Sequence, residues 1–125
     1  MSLKEEIDKA VGAHSAWKQR LKGAIDTGKS EVTVDNAAKD NVCPFGQWLY
    51  GTTIAAGAKG LPGYNEVRTI HANFHKAAAA ILDLALKGKK AEATALMGVT
   101  AEYSKVSAQL TQAMMKWQKD SGGKF

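Results

Sequence analysis

The chain has 125 residues, 45% of them hydrophobic and 23% charged. This composition fits one globular domain and excludes a second catalytic domain, a disordered chain or a collagen-like one. A single cysteine excludes an intrachain disulfide, and 17 Lys and Arg against 12 Asp and Glu leave a net charge of +5, whose meaning depends on where it sits.

From the N-terminus, Met1-Ser2-Leu3-Lys4 opens no secretory signal, and nowhere does an apolar run approach the roughly 20 residues of a membrane span. The chain therefore reads as cytoplasmic, without direct membrane insertion. Leu3, Ile7, Val11, His14, Trp17, Leu21 and Ile25 then follow at gaps of three and four, the apolar stripe of an amphipathic helix, and His14 on that stripe points inward. Asp26-Thr27-Gly28-Lys29-Ser30 ends the helix with turn formers. Val32-Thr33-Val34 has no strand partner and is read as loop.

Residues 35–63 read as irregular and hold both prolines. Within them Pro44 to Tyr50 predicts a short helix, because proline suits a first helical position and Gly51 closes the far end. Gly57, Gly60, Pro62 and Gly63 predict a long turn. The next helix is expected from Tyr64 to about Lys87, with Val67, His71, Phe74, His75, Ala78, Leu82 and Ala85 on one face and Gly88 as its stop. A last helix is expected from about Lys90 to Lys119, carrying Leu96, Val99, Tyr103, Val106, Leu110, Ala113 and Trp117 and fraying at Ser121-Gly122-Gly123. Three long amphipathic helices sharing a core, with the middle segment in the fourth position, make an all-α chain: an antiparallel four-helix bundle with one short, irregular side, forming a single domain over residues 1–125.

The chemistry lies in four residues. His71 and His75 are four apart on a helix, so they differ by about 40° in azimuth and one turn in height, and both imidazoles reach one metal ion. His14 is mid-helix among Val11, Trp17 and Leu21 with no polar neighbour on its face. All three histidines of the chain thus lie on core-facing stripes, where buried imidazoles need partners, and a shared ion satisfies them together. Cys43 sits at the expected N-cap of the short helix, where the positive helix end favours a thiolate, the form that binds metals. Three histidines and one cysteine complete a tetrahedral site, for which Zn2+ is the best match, with iron or copper less suited.

The motifs His14-x-x-Trp17, Cys43-Pro44-Phe45-Gly46-Gln47-Trp48-Leu49-Tyr50-Gly51 and His71-x-x-x-His75 resemble the chemoreceptor zinc-binding domain family over nearly the whole chain. The resemblance implies that His14, Cys43, His71 and His75 are the zinc ligands of a helical bundle. It also implies a bacterial regulatory role in signal transduction, such as chemotaxis, with response to zinc or to oxidants such as hypochlorous acid through Cys43. Trp17, Phe45, Trp48 and Phe74 are expected to pack around the site. The chain carries no chemoreceptor coiled coil or cyclase domain beside the bundle, so the expected partner is a signalling protein in trans, or the chain is a piece of a longer one. A second copy of the chain is the other candidate partner, and the competing reading is a structural zinc-stapled module for dimerisation or docking.

No enzyme is expected. Ala72-Asn73-Phe74 between the histidines offers no carboxylate for a His-Glu-x-x-His hydrolase, and four protein ligands close the shell. Residue 68 is Arg where a di-iron bundle needs Glu, one cysteine excludes a c-type haem, and the glycines around Lys59 lack the ending of a phosphate loop. The basic residues are scattered with acids between them, which argues against nucleic acid as a partner.

Overall fold

The computed structural model of the chain describes residues 3–52, 54, 56–98 and 101–122. All regular structure among them is helical: α1 (Leu3–Thr27), α2 (Val34–Ala38), α3 (Pro44–Leu49), α4 (Ala56–Lys59), α5 (Pro62–Leu86), α6 (Lys90–Leu96) and α7 (Glu102–Asp120). No helix among the described residues is long and apolar enough to cross a membrane.

α1 buries Leu3, Ile7, His14, Trp17, Leu21 and Ile25 as the spacing predicts, with Ala10 and Ala24 beside them. Val11 falls at the edge of the stripe and is half-buried. Gly28, at φ +71°, ends the helix by turning its N–H back to the Ala24 carbonyl at 2.7 Å.

α5 starts two residues before the expected Tyr64, because Pro62 occupies its first turn, where the missing N–H removes nothing. Its buried face carries Tyr64, Val67, His71, Phe74, His75, Ala78, Leu82 and Ala85.

The long final helix of the sequence reading is two helices. Gly98 is a poor helix former, and the Met97 and Gly98 amides bond to carbonyls only three residues back, which tightens and ends α6. Leu96, expected on the core stripe, is 38% exposed, and Ala93 is buried instead. Val99 lies outside the described residues. α7 then restores the pattern, burying Tyr103, Val106, Leu110, Ala113, Met114 and Trp117. Ser121, expected to fray, is buried as the C-cap of α7, whereas Gly123 lies outside the described residues.

The middle segment is also more helical than expected. Val34, read as loop, opens α2, whose N-cap is Thr33: the Thr33 hydroxyl accepts from the Asn36 N–H at 3.2 Å. α4 occupies the expected glycine turn.

Ring contacts give the directions of the long helices. Gly63 abuts Trp117, and Phe74 faces Tyr103 at 5.4 Å, so α5 and α7 run in opposite directions. His14 meets His71 at 4.9 Å and Trp17 meets His75 at 5.9 Å, so α1 and α5 run the same way. Residues 28–61 must therefore travel back along the helices, and they do so as three short helices. α2 packs against α5, and α3 against α1. Two aromatic donors fix the second half of this return: Tyr64 Oη donates to the Leu49 carbonyl at 2.9 Å, and Trp117 Nε1 to the Ala58 carbonyl at 3.1 Å.

Candidate metal centre

α1 brings His14, α5 brings His71 and His75 one turn apart, and the start of α3 brings Cys43. One donor atom from each of the four lies within 4.8 Å of the others. The structure thus brings together all four residues singled out from the sequence.

Hydrogen bonds orient two of the rings. Nδ1 of His14 is 2.7 Å from the Ala10 carbonyl, and Nδ1 of His75 is 3.0 Å from the Ala37 carbonyl. A carbonyl only accepts, so each Nδ1 carries the proton and each Nε2 presents a bare lone pair. Both lone pairs face inward: Nε2 of His71 is 3.1 Å from Nε2 of His14 and 3.1 Å from Nε2 of His75. The Cys43 sulfur is 3.5 Å from Nε2 of His71 and 3.6 Å from Nε2 of His75.

These distances test the fit of a cation. A tetrahedral zinc site with bonds of about 2.05 Å to nitrogen and about 2.3 Å to sulfur has N–N edges of about 3.3 Å and N–S edges of about 3.5 Å. The four separations just given match these edges to within about 0.2 Å, and all the donor atoms lie within 4.8 Å of one another. Protons alone satisfy the cluster poorly. A proton on Nε2 of His71 serves one neighbouring imidazole and leaves the other facing it, while Nδ1 of His71 is buried with no protein partner. A cation at the centre satisfies every inward lone pair at once.

Electrostatics agree. Burial holds His14 down to about 4 and His71 down to about 2, and it lowers His75 as well, so all three rings are neutral, as ligands must be. Cys43 is the N-cap of α3, as expected, and its sulfur accepts from the Gly46 N–H at 3.3 Å. The N–H donors of the cap favour the thiolate, as the sequence suggests, but burial outweighs them and pushes the thiol up from its ordinary value. A thiolate here needs a metal cation beside it.

Aromatic rings surround the donors. Phe45 stands edge-on to His14 and His71, Phe74 to His14 and His75, and Trp17 to His75. Trp48 lies one layer out, against Phe45 and Trp117. Sequence reasoning missed the carbonyls of Ala10 and Ala37. The first is inherent in helical spacing, four residues before His14. The second has no signal, since any residue supplies a carbonyl.

Fold and site together define an all-helical metal-binding domain with a His3Cys donor set. The sequence model of the family described as chemoreceptor zinc-binding domain matches residues 14–82, more than half of the chain and the full span of the four donors. The chain belongs to this family, and its cofactor is zinc. Searches of curated proteins and of solved structures give no match.

Proposed function

We propose that His14, Cys43, His71 and His75 hold one zinc ion per chain, and that the domain is a bacterial cytoplasmic regulator whose zinc-bound Cys43 responds to zinc level or to oxidants. The observation that carries this reading is an asymmetry of exposure. His14, His71 and His75 are buried, whereas Cys43 is only partly buried and lines a cleft open to solvent. The donor most reachable from outside is the one that oxidants attack.

Bound zinc supplies the positive charge that opposes three inward lone pairs and keeps the sulfur ionised. The protein supplies the rest. Ala10 and Ala37 hold two rings in register, and α3 presents the sulfur. Towards hypochlorous acid the thiolate gives up two electrons, takes the OH and releases chloride, leaving a sulfenic acid with little donor strength. The imidazoles stay fixed by α1 and α5, so the loss frees the start of α3. That displaced segment is the signal that a partner protein in trans would read. On this reading the chain is not an enzyme, because four protein donors fill a tetrahedral shell and residues 72–74 carry no carboxylate.

The test is zinc release to a chromophoric indicator. Wild type is expected to release most of its zinc after one equivalent of hypochlorous acid, and Cys43→Ala to release no additional zinc on oxidation. Retention of zinc by oxidised wild type removes the redox arm. Exchange of zinc near intracellular free concentrations would then support zinc sensing alone. The deep burial of the three imidazoles favours a second reading, a permanent structural staple, which zinc affinity far tighter than those concentrations would support.

A further inference from the structure

The two imidazoles whose Nδ1 meets a carbonyl obtain that acceptor in different ways. His14 leans on the Ala10 carbonyl, four residues back on its own helix, so α1 supplies the bond wherever it is folded. His75 leans on the Ala37 carbonyl, which another element delivers from 38 residues away. The aim of His75 therefore depends on whether α2 forms and where it docks.

α2 is built to leave that carbonyl free. In a longer helix the Ala37 oxygen would accept from the Asn41 N–H, but Lys39 is extended, at φ −84° and ψ 131°, and the helix stops at Ala38. Thr33 fastens the opposite end. Its hydroxyl accepts from the Asn36 N–H at 3.2 Å and its carbonyl from the Ala37 N–H at 2.9 Å, so Thr33 holds the residue whose own oxygen meets the ring. Five residues are too few to stay helical by propensity, which leaves the cap and the packing on α5 to hold α2 in place. Thr33 itself is exposed and is not one of the four donors.

We propose that Thr33 is a positioning residue for the metal centre: by capping α2 it sets the Ala37 carbonyl against Nδ1 of His75 and so aims Nε2 at the ion. The inference rests on His75 being a zinc ligand. A hydrogen bond of this kind fixes the tautomer and strengthens the donor, and its outright loss weakens metal binding by about 10–100-fold. Removing the cap only biases α2 towards its undocked state, so the expected weakening is smaller, about fivefold.

The experiment measures zinc affinity of the full chain by competition with a chelating indicator, in wild type, Thr33→Val, Thr33→Ser, His75→Ala and the Thr33→Val/His75→Ala double variant. Thr33→Val keeps the shape and removes the acceptor, and should weaken zinc about fivefold. Thr33→Ser should restore wild-type affinity. In the His75→Ala background Thr33→Val should have no effect, because the Ala37 carbonyl then has no ring to hold. NMR gives a second readout: in Thr33→Val the His75 Nδ1–H should exchange faster with solvent, while that of His14 stays as in wild type. Unchanged affinity in Thr33→Val, or equal weakening in both backgrounds, overturns the proposal, the second by reducing Thr33 to a general stabiliser. Unchanged affinity in His75→Ala would remove the ligand assignment of His75 and the proposal with it.

Discussion

Cys43 is placed by a neighbour that has no side chain. A Cβ added at Gly46 would lie 1.8 Å from the Asp40 carbonyl oxygen, so the turn at residues 40–41 rests directly on the α3 backbone. Gly46→Ala must push that turn away and carry the sulfur with it. It is expected to weaken zinc binding at least tenfold, measured by competition with a chelating indicator. Gly12, on α1, has nothing within 4 Å of the same added atom. Gly12→Ala should leave zinc affinity unchanged and stabilise the helix by about 0.5–1 kcal/mol.

The three imidazoles also set a pH dependence for the metal-free chain. Unfolding returns each ring to its ordinary 6.5, while the fold holds His14 at about 4 and His71 at about 2. Below 6.5 the unfolded chain therefore binds protons that the folded chain refuses. Stability is fully present above pH 7 and declines as pH falls from about 6.5 towards 4. Melting in excess chelator across that window should show a falling Tm; a flat profile would contradict the burial of these rings.

At the scale of elements, the long helices were legible where apolar residues kept gaps of three and four without interruption. α1 and α5 satisfy that condition along their length. The break between α6 and α7 was concealed because Leu96 and Val99 happen to continue the spacing, although Gly98 between them lacks the helix propensity to sustain it. α2 escaped notice because five residues span little more than one turn and show no period; only Thr33, as a capping residue, announced it. The donors of the metal centre were legible as residue types at helical spacing, but the Ala37 carbonyl was not, since it depends on where α2 docks. The α5–α7 contact is tight at one point, where a Cβ on Gly63 would lie 2.7 Å from the Trp117 Cβ. Gly63→Ala should separate the helices there and destabilise the chain by about 1–3 kcal/mol. Denaturant melts of the metal-loaded chain would measure this, with an unchanged midpoint arguing against the close approach.

Across the whole molecule, zinc joins three stretches that the unfolded chain holds far apart, so metal binding and folding share free energy. Chelation should lower the Tm, and equal melting of stripped and loaded chains would exclude that coupling. The loosening on metal loss should also be local. Ala58 and Leu49 remain tied by Trp117 and Tyr64, and α2 remains packed on α5. Trypsin is therefore expected to nick the stripped protein after Lys39 while sparing Lys59, whose amine also bonds the Gly51 carbonyl.

The shared direction of α1 and α5 has a mechanical corollary. Because the chain must double back between them, any pull that separates the two rods stretches the return strap, and the strap's only sulfur clasp lies in its path. Force arriving at the ends of the rods and chemistry arriving at Cys43 would thus act on the same fastening.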